Sequence, residues 1–321
     1  MKPEDAALNF DPLPSWRDTE TKQTILSYVR SVTEPASADY IPQEDRIAVS
    51  DFDGTLVGEN GGIGVPGWME IELLRYVLAE RFPGSKSVRA LLKEYDRLAG
   101  QLAENSNPSN EETNEYWNAY FKVAGRAWGG LTVEETCEWI AAQMGKSYSP
   151  GMPFRTMAYV PMQELYVFLL ENGFRFHVVS GSGRSTIYTV CHELFIFHGE
   201  GIPYARCIGM DYGIRRVGTG NRFRMEQTDR PVNLNIDEEK CWNIAREVGK
   251  PPVLAIGNDG PDEAMLNWTL SNGRHRALSL YILHDDPERE RFYGTERGLA
   301  LCERNGWLPV SMRRDFGAVF A

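Results

Sequence analysis

The sequence has no apolar run approaching the roughly 20 residues that a helix needs to cross a bilayer. Its longest, Leu165-Tyr166-Val167-Phe168-Leu169-Leu170, stops at six residues. The start, Met1-Lys2-Pro3-Glu4-Asp5, has no cationic segment leading into an apolar stretch. No secretory signal is therefore expected, and the chain is read as cytosolic. Cysteine is sparse: Cys137, Cys191, Cys207, Cys241 and Cys302 are scattered, with no Cys-x-x-Cys. An odd, dispersed set fits reduced thiols and argues against a disulfide framework or structural zinc. Positive charge is in deficit, 34 Lys and Arg against 45 Asp and Glu, for a net charge of −11. A nucleic-acid partner, which requires a basic surface, is not expected, nor is an anionic membrane. A small anionic substrate stays open, because one metal ion and a local cation reverse the sign inside a pocket.

What is present is ordinary globular material, 42% hydrophobic and 25% charged over 321 residues. That length predicts two units, or one core carrying a large insertion. Residues 1 to 18, rich in Pro, Asp and Asn, are expected to pack irregularly or fray. Thr19 to Val32 has the spacing of an amphipathic helix, so residues 1–40 read as a helical extension packed on the core. Arg46 to Ser50 reads as a short buried strand. After a glycine-rich connection from Glu59 to Gly67 the pattern turns helical from Trp68 to Gly145. Within it, Ser109-x-x-Glu112 and Thr132-x-x-Glu135 are capping boxes. Beyond Pro150, strands and helices alternate: helix at Pro161 to Asn172, strand at Arg175 to Ser180, helix at Gly183 to Leu194. Two strands, Ala205 to Ile214 and Arg222 to Gln227, surround Gly218-Thr219-Gly220. Helices at Glu238 to Gly249 and Asp262 to Leu270 flank a strand at Pro252 to Ile256. A strand at Ala277 to Leu283 leads into a helix from Pro287 to Asn305. Such alternation predicts an α/β fold with a mainly parallel sheet, which binds ligands beyond the carboxyl ends of its strands.

Three strand ends carry polar residues that the strands do not need. Asp51-Phe52-Asp53-Gly54-Thr55 puts two carboxylates two residues apart. Alone they repel; a divalent cation removes the conflict. One can then attack phosphorus while the other moves a proton. The plainer reading is an Asx turn leaving a strand. Ser180-Gly181-Ser182-Gly183 suits a phosphoryl oxygen, or is a simple helix cap. Gly257-Asn258-Asp259-Gly260-Pro261-Asp262 offers the hard oxygen donors that Mg²⁺ prefers, or a turn and N-cap. Lys240, at a helix start, matters only if it abuts these strand ends.

In this order the motifs resemble the haloacid dehalogenase-like (HAD) hydrolase superfamily, in particular its aspartate-nucleophile phosphatases. The likeness runs from about Arg46 to Leu283. The helical stretch after the first motif is placed like the cap of phosphoserine phosphatase-type members. Leu13-Pro14-Ser15-Trp16, Arg46 to Leu56, Gly257 to Leu266 and His284 to Glu290 look like a bacterial branch described as phosphoserine phosphatase-like. The resemblance implies a Rossmann-like core at 41–60 and 150–321 and a helical cap at 61–149. It implies Asp51 as nucleophile, Asp53 as general acid/base with its carbonyl on Mg²⁺, Ser180 on a phosphoryl oxygen, and Lys240 neutralising charge. The fourth motif departs from the family pattern, placing Asn258 where an Asp ligand is usual. Either Asn258 binds Mg²⁺ through its amide oxygen, with Asp262 in support, or the loop shifts and Asp259 does; the first is preferred.

The expected activity is Mg²⁺-dependent hydrolysis of a small phosphorylated metabolite through an aspartyl-phosphate. Asp53 favours ester hydrolysis over carbon–halogen cleavage, since an alkoxide leaving group needs a proton. A phosphomutase and a non-catalytic binding module on the same scaffold are the alternatives. A phosphonate hydrolase requires a cap lysine, for which Lys86, Lys93 and Lys122 are candidates. For substrate contacts Gly181, Glu59 and Arg184 are the candidates, Glu59 toward an ammonium and Arg184 toward a second anion. Trp117, Tyr120, Phe121 and Trp128 form an aromatic stripe expected chiefly to pack a helical core.

Overall fold

The computed structural model describes residues 11–59, 69–104, 109–149 and 151–321. The chain enters through α1 (Glu20–Thr33) and forms the short strand β1 (Ile47–Ser50). Four helices follow: α2 (Met69–Arg81), α3 (Lys86–Glu104), α4 (Asn110–Trp128) and α5 (Val133–Gln143). A small antiparallel pair, β2 (Ser147–Ser149) and β3 (Met152–Pro153), leads to α6 (Val160–Glu171), β4 (Arg175–Gly183) and α7 (Arg184–Leu194). A second small pair, β5 (Ile196–Phe197) and β6 (Glu200–Gly201), precedes the hairpin β7 (Cys207–Thr219) and β8 (Arg222–Asn233). The remainder is α8 (Glu238–Glu247), β9 (Leu254–Gly257), α9 (Glu263–Leu270), β10 (Leu278–Leu283), α10 (Thr295–Asn305), β11 (Leu308–Ser311) and α11 (Met312–Asp315).

Seven strands make one sheet in the order β11-β10-β9-β1-β4-β7-β8, parallel except for the β7–β8 pair. The strand alternation sorts side chains to two faces. Ala48, Phe176, Val178, Leu254, Ile256, Leu280 and Ile282 join one cluster with Ile25 and Val29 of α1 and Leu165 and Leu169 of α6. Ile47, Val49, Val179, Ala255 and Tyr281 join the other with Ile244 of α8, Leu266 of α9 and Leu301 of α10. Helices therefore cover both faces, and the expected mainly parallel α/β fold is what is observed. β1 is central, flanked by β4 and β9, so the three strand ends carrying the polar motifs open on one crevice.

Both capping boxes form, with Ser109 and Thr132 each accepting from the N3 backbone N–H. The described residues from Met69 to Gln143 hold helices and no strand. Their apolar residues, among them Leu73, Leu74, Val77, Tyr120 and Trp128, continue the first cluster without a break. The link to the sheet is polar at one point. Glu70, fully buried, accepts from Gly183 N–H (2.8 Å), Thr186 Oγ1 (2.6 Å) and the Tyr120 hydroxyl. One carboxylate thus ties α2 and α4 to the junction of β4 and α7.

The structure decides three expectations. Residues 11–18 pack irregularly, one of the two outcomes expected, and do not fray; residues 1–10 lie outside the described set. Leu13 and Trp16 are buried, Trp16 packs edge-on against Phe316 at 4.9 Å, and its Nε1 donates to Pro161 O (2.8 Å). Secondly, the helix expected from Pro287 starts only at Thr295, behind Gly294 at φ 65°. Residues 284–294 instead fold back, pairing His284 with Tyr293. Thirdly, β7 and β8 run past their expected ends, to Thr219 and Asn233. Beyond those corrections, β11 closes an edge of the sheet that no strand was expected to occupy.

Replacing Glu70 with Ala leaves three buried donors without this acceptor. Glu70→Ala is expected to destabilise the fold by about 2–4 kcal/mol, and Glu70→Gln by less, because one acceptor oxygen survives. Urea unfolding followed by circular dichroism checks this; a loss below about 0.5 kcal/mol for Glu70→Ala rejects the tie.

Candidate active site

The crevice beyond β1, β4 and β9 opens into a cleft of about 400 Å³. Its floor holds Asp51, Asp53, Ser180, Gly181, Lys240, Asn258 and Asp262; Glu59 and Asp259 line it as well. Nine of the ten residues singled out in the sequence thus face one space. Arg184 does not. It pairs with Asp211 (3.3 Å) and Glu247 (2.5 Å) beneath the Tyr204 ring, so its charge is spent on α8 and β7 and it is withdrawn as a substrate contact.

Asp51 leaves β1 anchored by its N–H to Ile256 O (2.9 Å). Its Oδ1 accepts from Lys240 Nζ at 2.6 Å. The same ammonium donates to Asp262 Oδ1 at 2.5 Å. Burial, with the Asp262 charge beside it, raises the Asp51 carboxyl to about 7, while Lys240 pulls the other way. The paired carboxylates hold Lys240 protonated despite its burial. Asp262 uses its other oxygen on the N–H groups of Asn258 (2.9 Å) and Asp259 (3.3 Å). Both of its oxygens are therefore committed, one to Lys240 and one to the loop. The Asp259 carboxylate caps Gly260 N–H (2.7 Å).

Asp53 lines the same crevice. Burial raises its carboxyl well above the ordinary range; Ser182 opposes this, and the Asp51, Glu59 and Glu70 charges add to it. Ser182 Oγ donates to Oδ2 (2.6 Å), while Oδ1 is buried with no hydrogen-bond partner. Ser180 Oγ accepts from Ser182 N–H (3.1 Å), which directs the Ser180 hydroxyl proton elsewhere.

The chain before α8 carries Lys240 into place through a residue the sequence reading passed over. Buried Asn235, at φ 59°, donates to Ser180 O (2.7 Å) and Ile208 O (2.8 Å) and accepts from Asn243 (2.9 Å). Gly54, at φ 70°, is needed twice: for its backbone conformation and because a Cβ there would collide with the Asn258 amide.

Whether these residues suit Mg²⁺ can be judged from the donors. One end of the Asn258 amide lies 3.1 Å from the Asp53 carbonyl oxygen, 3.3 Å from Asp51 Oδ2 and 2.8 Å from Thr55 Oγ1. Turned nitrogen-inward, the amide donates to these acceptors. Turned oxygen-inward, it completes a set of three oxygens from a carboxylate, a carbonyl and an amide. Neighbouring ligands of an octahedral ion with bonds of about 2.1 Å lie about 3.0 Å apart, close to these separations. The donor set fits. It is mixed in kind; no group of three His, Cys, Asp or Glu side chains suited to a metal occurs among the described residues.

The refolded segment 284–294 adds groups that were not foreseen as site residues. His284 faces an acceptor on each ring nitrogen, Glu290 at Nδ1 (2.6 Å) and Gly54 O at Nε2 (2.8 Å). Both nitrogens therefore carry protons. Burial opposes that charge, and Glu290 outweighs it, so the imidazole pKa is raised. Tyr293 stacks on His284 at 4.3 Å and meets Asn258 at 2.7 Å. Burial raises the Glu59 carboxyl beside them. Arg291 lines the cleft above the Tyr293 ring. His284 to Glu290 stood out in the sequence only through its resemblance, which assigned these groups no role in a site.

No family model matches the sequence, and no curated protein matches it. Among solved structures the chain is similar to a conserved, functionally unknown protein from Anaerococcus prevotii DSM 20548, with a TM-score of 0.53 at 16% identity over 90% of each chain. It is also similar to cytosolic 5'-nucleotidase IIIB bound to cytidine (TM-score 0.49, 16% identity, 91% of this chain and 93% of that one). A phosphoserine phosphohydrolase-like protein from Francisella tularensis subsp. tularensis SCHU S4 is more distant (0.41, 13%, 79% and 98%). The mainly parallel α/β fold is shared with the Anaerococcus prevotii protein. At these identities the likeness is one of fold. The motif residues sit at the ends of β1, β4 and β9 and the start of α8.

Asn258→Ala removes one of three converging oxygens, whereas Asp259→Ala removes a turn cap. Calorimetric titration with MgCl₂ is expected to show at least about tenfold weaker binding for Asn258→Ala and a smaller change for Asp259→Ala. The reverse order would move the ligand to Asp259.

Proposed function

We propose that this chain is a Mg²⁺-dependent phosphatase that hydrolyses a small phosphomonoester through an aspartyl-phosphate on Asp51. The observation that carries the reading is the inequality of the two motif aspartates. Asp51 is paired with a protonated lysine, whereas burial raises the Asp53 carboxyl well above its ordinary range and leaves its Oδ1 unpartnered. A nucleophile must be ionised and a general acid protonated, and the two environments sort the carboxyls in that sense.

In this scheme the Asp51 carboxylate attacks phosphorus, and the ester oxygen leaves with the proton from Asp53. Asp53, now ionised, takes a proton from water, which attacks phosphorus and returns Asp51 as a carboxylate. The Ser180 hydroxyl donates to a phosphoryl oxygen, and Lys240 balances charge that builds near Asp51. Mg²⁺ held by Asp51, the Asp53 carbonyl and Asn258 would neutralise phosphoryl charge and draw the Asp51 pKa down. The helices within 61–149 act as a cap over a core formed by 41–60 and 150–321. None of Lys86, Lys93 and Lys122 lines the cleft, so nothing favours Schiff-base chemistry.

The outer wall of the cleft bears on the substrate. Tyr95, Ala99 and Leu102 of α3 and Tyr116 and Trp117 of α4 line it, together with Glu59 and Arg291. Trp117 therefore departs from the buried stripe, whose Tyr120 and Trp128 pack the interior as expected. A wall of this kind suits an alcohol portion with an apolar or flat ring face. Trp117→Ala is expected to raise KM for p-nitrophenyl phosphate severalfold and to leave kcat within about twofold. A fall in kcat at unchanged KM would place Trp117 outside the substrate wall.

The deciding experiment is turnover of p-nitrophenyl phosphate and alkyl phosphates with and without Mg²⁺. Asp51→Asn should lower kcat by at least about a thousandfold. Asp53→Asn should slow alkyl phosphates by about 10²–10⁴-fold and p-nitrophenyl phosphate far less, because a phenolate leaves without a proton. In ¹⁸O-water a single turnover should label phosphate and leave the Asp51 carboxylate unlabelled. Full activity of Asp51→Asn sinks the covalent route; transfer between hydroxyls without phosphate release would make the protein a mutase.

A further inference from the structure

A cleft lined by acids is an unlikely place for an anion unless cations are held ready in it. Among the described residues, five carboxylates, Asp51, Asp53, Glu59, Asp259 and Asp262, line this one against two cations, Lys240 and Arg291. Lys240 is committed to Asp51 (2.6 Å) and Asp262 (2.5 Å). We propose that Arg291 reads a second anionic group, a carboxylate or a phosphate, on the alcohol portion of the substrate. This rests on the phosphatase reading above and names the class of ester that the cleft takes.

The neighbouring arginines all have partners. Arg289 is held by Asp286 and by the carbonyl oxygens of Met312, Phe316 and Gly317. Arg297, in the first turn of α10, pairs with Glu263 (3.3 Å). Arg184, the other arginine near the strand ends, is taken by Asp211 and Glu247. Arg291 differs. Among the described residues no carboxylate lies within 4.0 Å of its guanidinium, which sits 5.0 Å from the centroid of the Tyr293 ring. For a fully solvated arginine this would mean little. Here the side chain is half-buried and lines the cleft. Its planar fork matches a carboxylate or a phosphate through two parallel hydrogen bonds. The transferred phosphoryl group has its own partners in Ser180, Lys240 and Mg²⁺ in the scheme above, so the fork is left for another anion.

The backbone that carries Arg291 is anchored on both sides. Glu290, before it, has a side chain 1% exposed and meets His284 Nδ1 (2.6 Å) and the Tyr159 hydroxyl. Tyr293, two residues after it, stacks on His284 at 4.3 Å and bridges to it through the backbone. A side chain on a fixed base costs less to order when a ligand arrives. Tyr95, Tyr116 and Trp117 line the same cleft, so an ester carrying its second anion on a flat or apolar frame meets both kinds of contact. The anion is thus read from the segment after β10, and the apolar frame from α3 and α4.

The test is a specificity ratio: kcat/KM for an ester bearing the second anion over kcat/KM for its parent, measured on the full chain with Mg²⁺. The carboxylate arm compares 4-carboxyphenyl phosphate with phenyl phosphate and 3-phosphoglycerate with glycerol 3-phosphate. The phosphate arm compares 1,4-phenylene bisphosphate with 4-hydroxyphenyl phosphate. Wild type should favour the doubly anionic ester in at least one pair by about tenfold or more, and the arm in which it does so identifies the anion. Arg291→Gln should bring that ratio to about one, chiefly through KM. Arg291→Lys, which keeps the charge and loses the fork, should fall between the two. A loss of folded protein lowers both esters alike and leaves the ratio where it was. No preference by wild type in any pair, or a ratio that Arg291→Gln leaves unchanged, overturns the proposal, while turnover of phenyl phosphate keeps the phosphatase reading standing. Absence of Mg²⁺-dependent turnover of every ester overturns that reading, and the proposal with it.

Discussion

Carboxylates repel, and this protein gathers them where water is scarce. Asp51, Asp53 and Asp262 are buried together beyond β1 and β9, with Glu59 and Glu70 close enough to raise the Asp53 carboxyl. Unpaired buried charge costs several kcal/mol per ion, so such a group persists only if each member has its own answer. The answers differ. Asp51 and Asp262 share Lys240, Glu70 takes three donors from two helices and a strand end, and the Asp53 carboxyl is raised by its burial toward the neutral form. Each answer calls on a different part of the chain. That is why α2, α8 and segment 284–294 all converge on the strand ends.

The fold supplies this convergence through the position of β1. As the middle strand it gives Asp51 and Asp53 neighbours on both sides: Ser180 and Ser182 from β4, Asn258 and Asp262 after β9. A parallel sheet sends all of these ends the same way, so groups nearly 200 residues apart meet without any long-range loop. Asn235 then fixes the start of α8 to the carbonyls of Ser180 and Ile208, and Lys240 enters between two acids as a consequence.

The parts of the molecule that were legible in the sequence are those governed by local rules. Capping boxes at Ser109 and Thr132, strand runs such as Arg46 to Ser50 and the motif glycines depend on near neighbours, and they read correctly. The misreadings came where tertiary partners override local pattern. Arg184 opens a helix beside a phosphate-like loop, but Asp211 and Glu247, distant in sequence, claim it. Glu70 opens α2 like any solvated acidic residue, yet it is fully buried because its acceptors are needed at Gly183 and Thr186. No periodicity encodes either fact. The Trp117 ring divides similarly: its spacing says helix stripe, while only the packing of α3 beside α4 turns it to the cleft.

Segment 284–294 carries the same point one step further. Its charges and its composition favour a helix from Pro287, and a helix there would carry Glu290 and Tyr293 along one axis. It is broken instead, and the break brings His284, Glu290 and Tyr293 under a single loop. Segment 284–294 forgoes helical hydrogen bonds in favour of a buried Glu290–His284–Gly54 chain; the Gly54 carbonyl it holds belongs to the turn that presents Asp53. An imidazole donating from both nitrogens cannot slip its partners without leaving a buried carboxylate or carbonyl bare. The turn bearing the acid and the loop bearing Asn258 are therefore braced from one side by the same two rings, His284 against Gly54 and Tyr293 against Asn258. Displacing either ring should move both motifs together. The separation between Asp53 and Asn258 is thus fixed by a segment that belongs to neither motif.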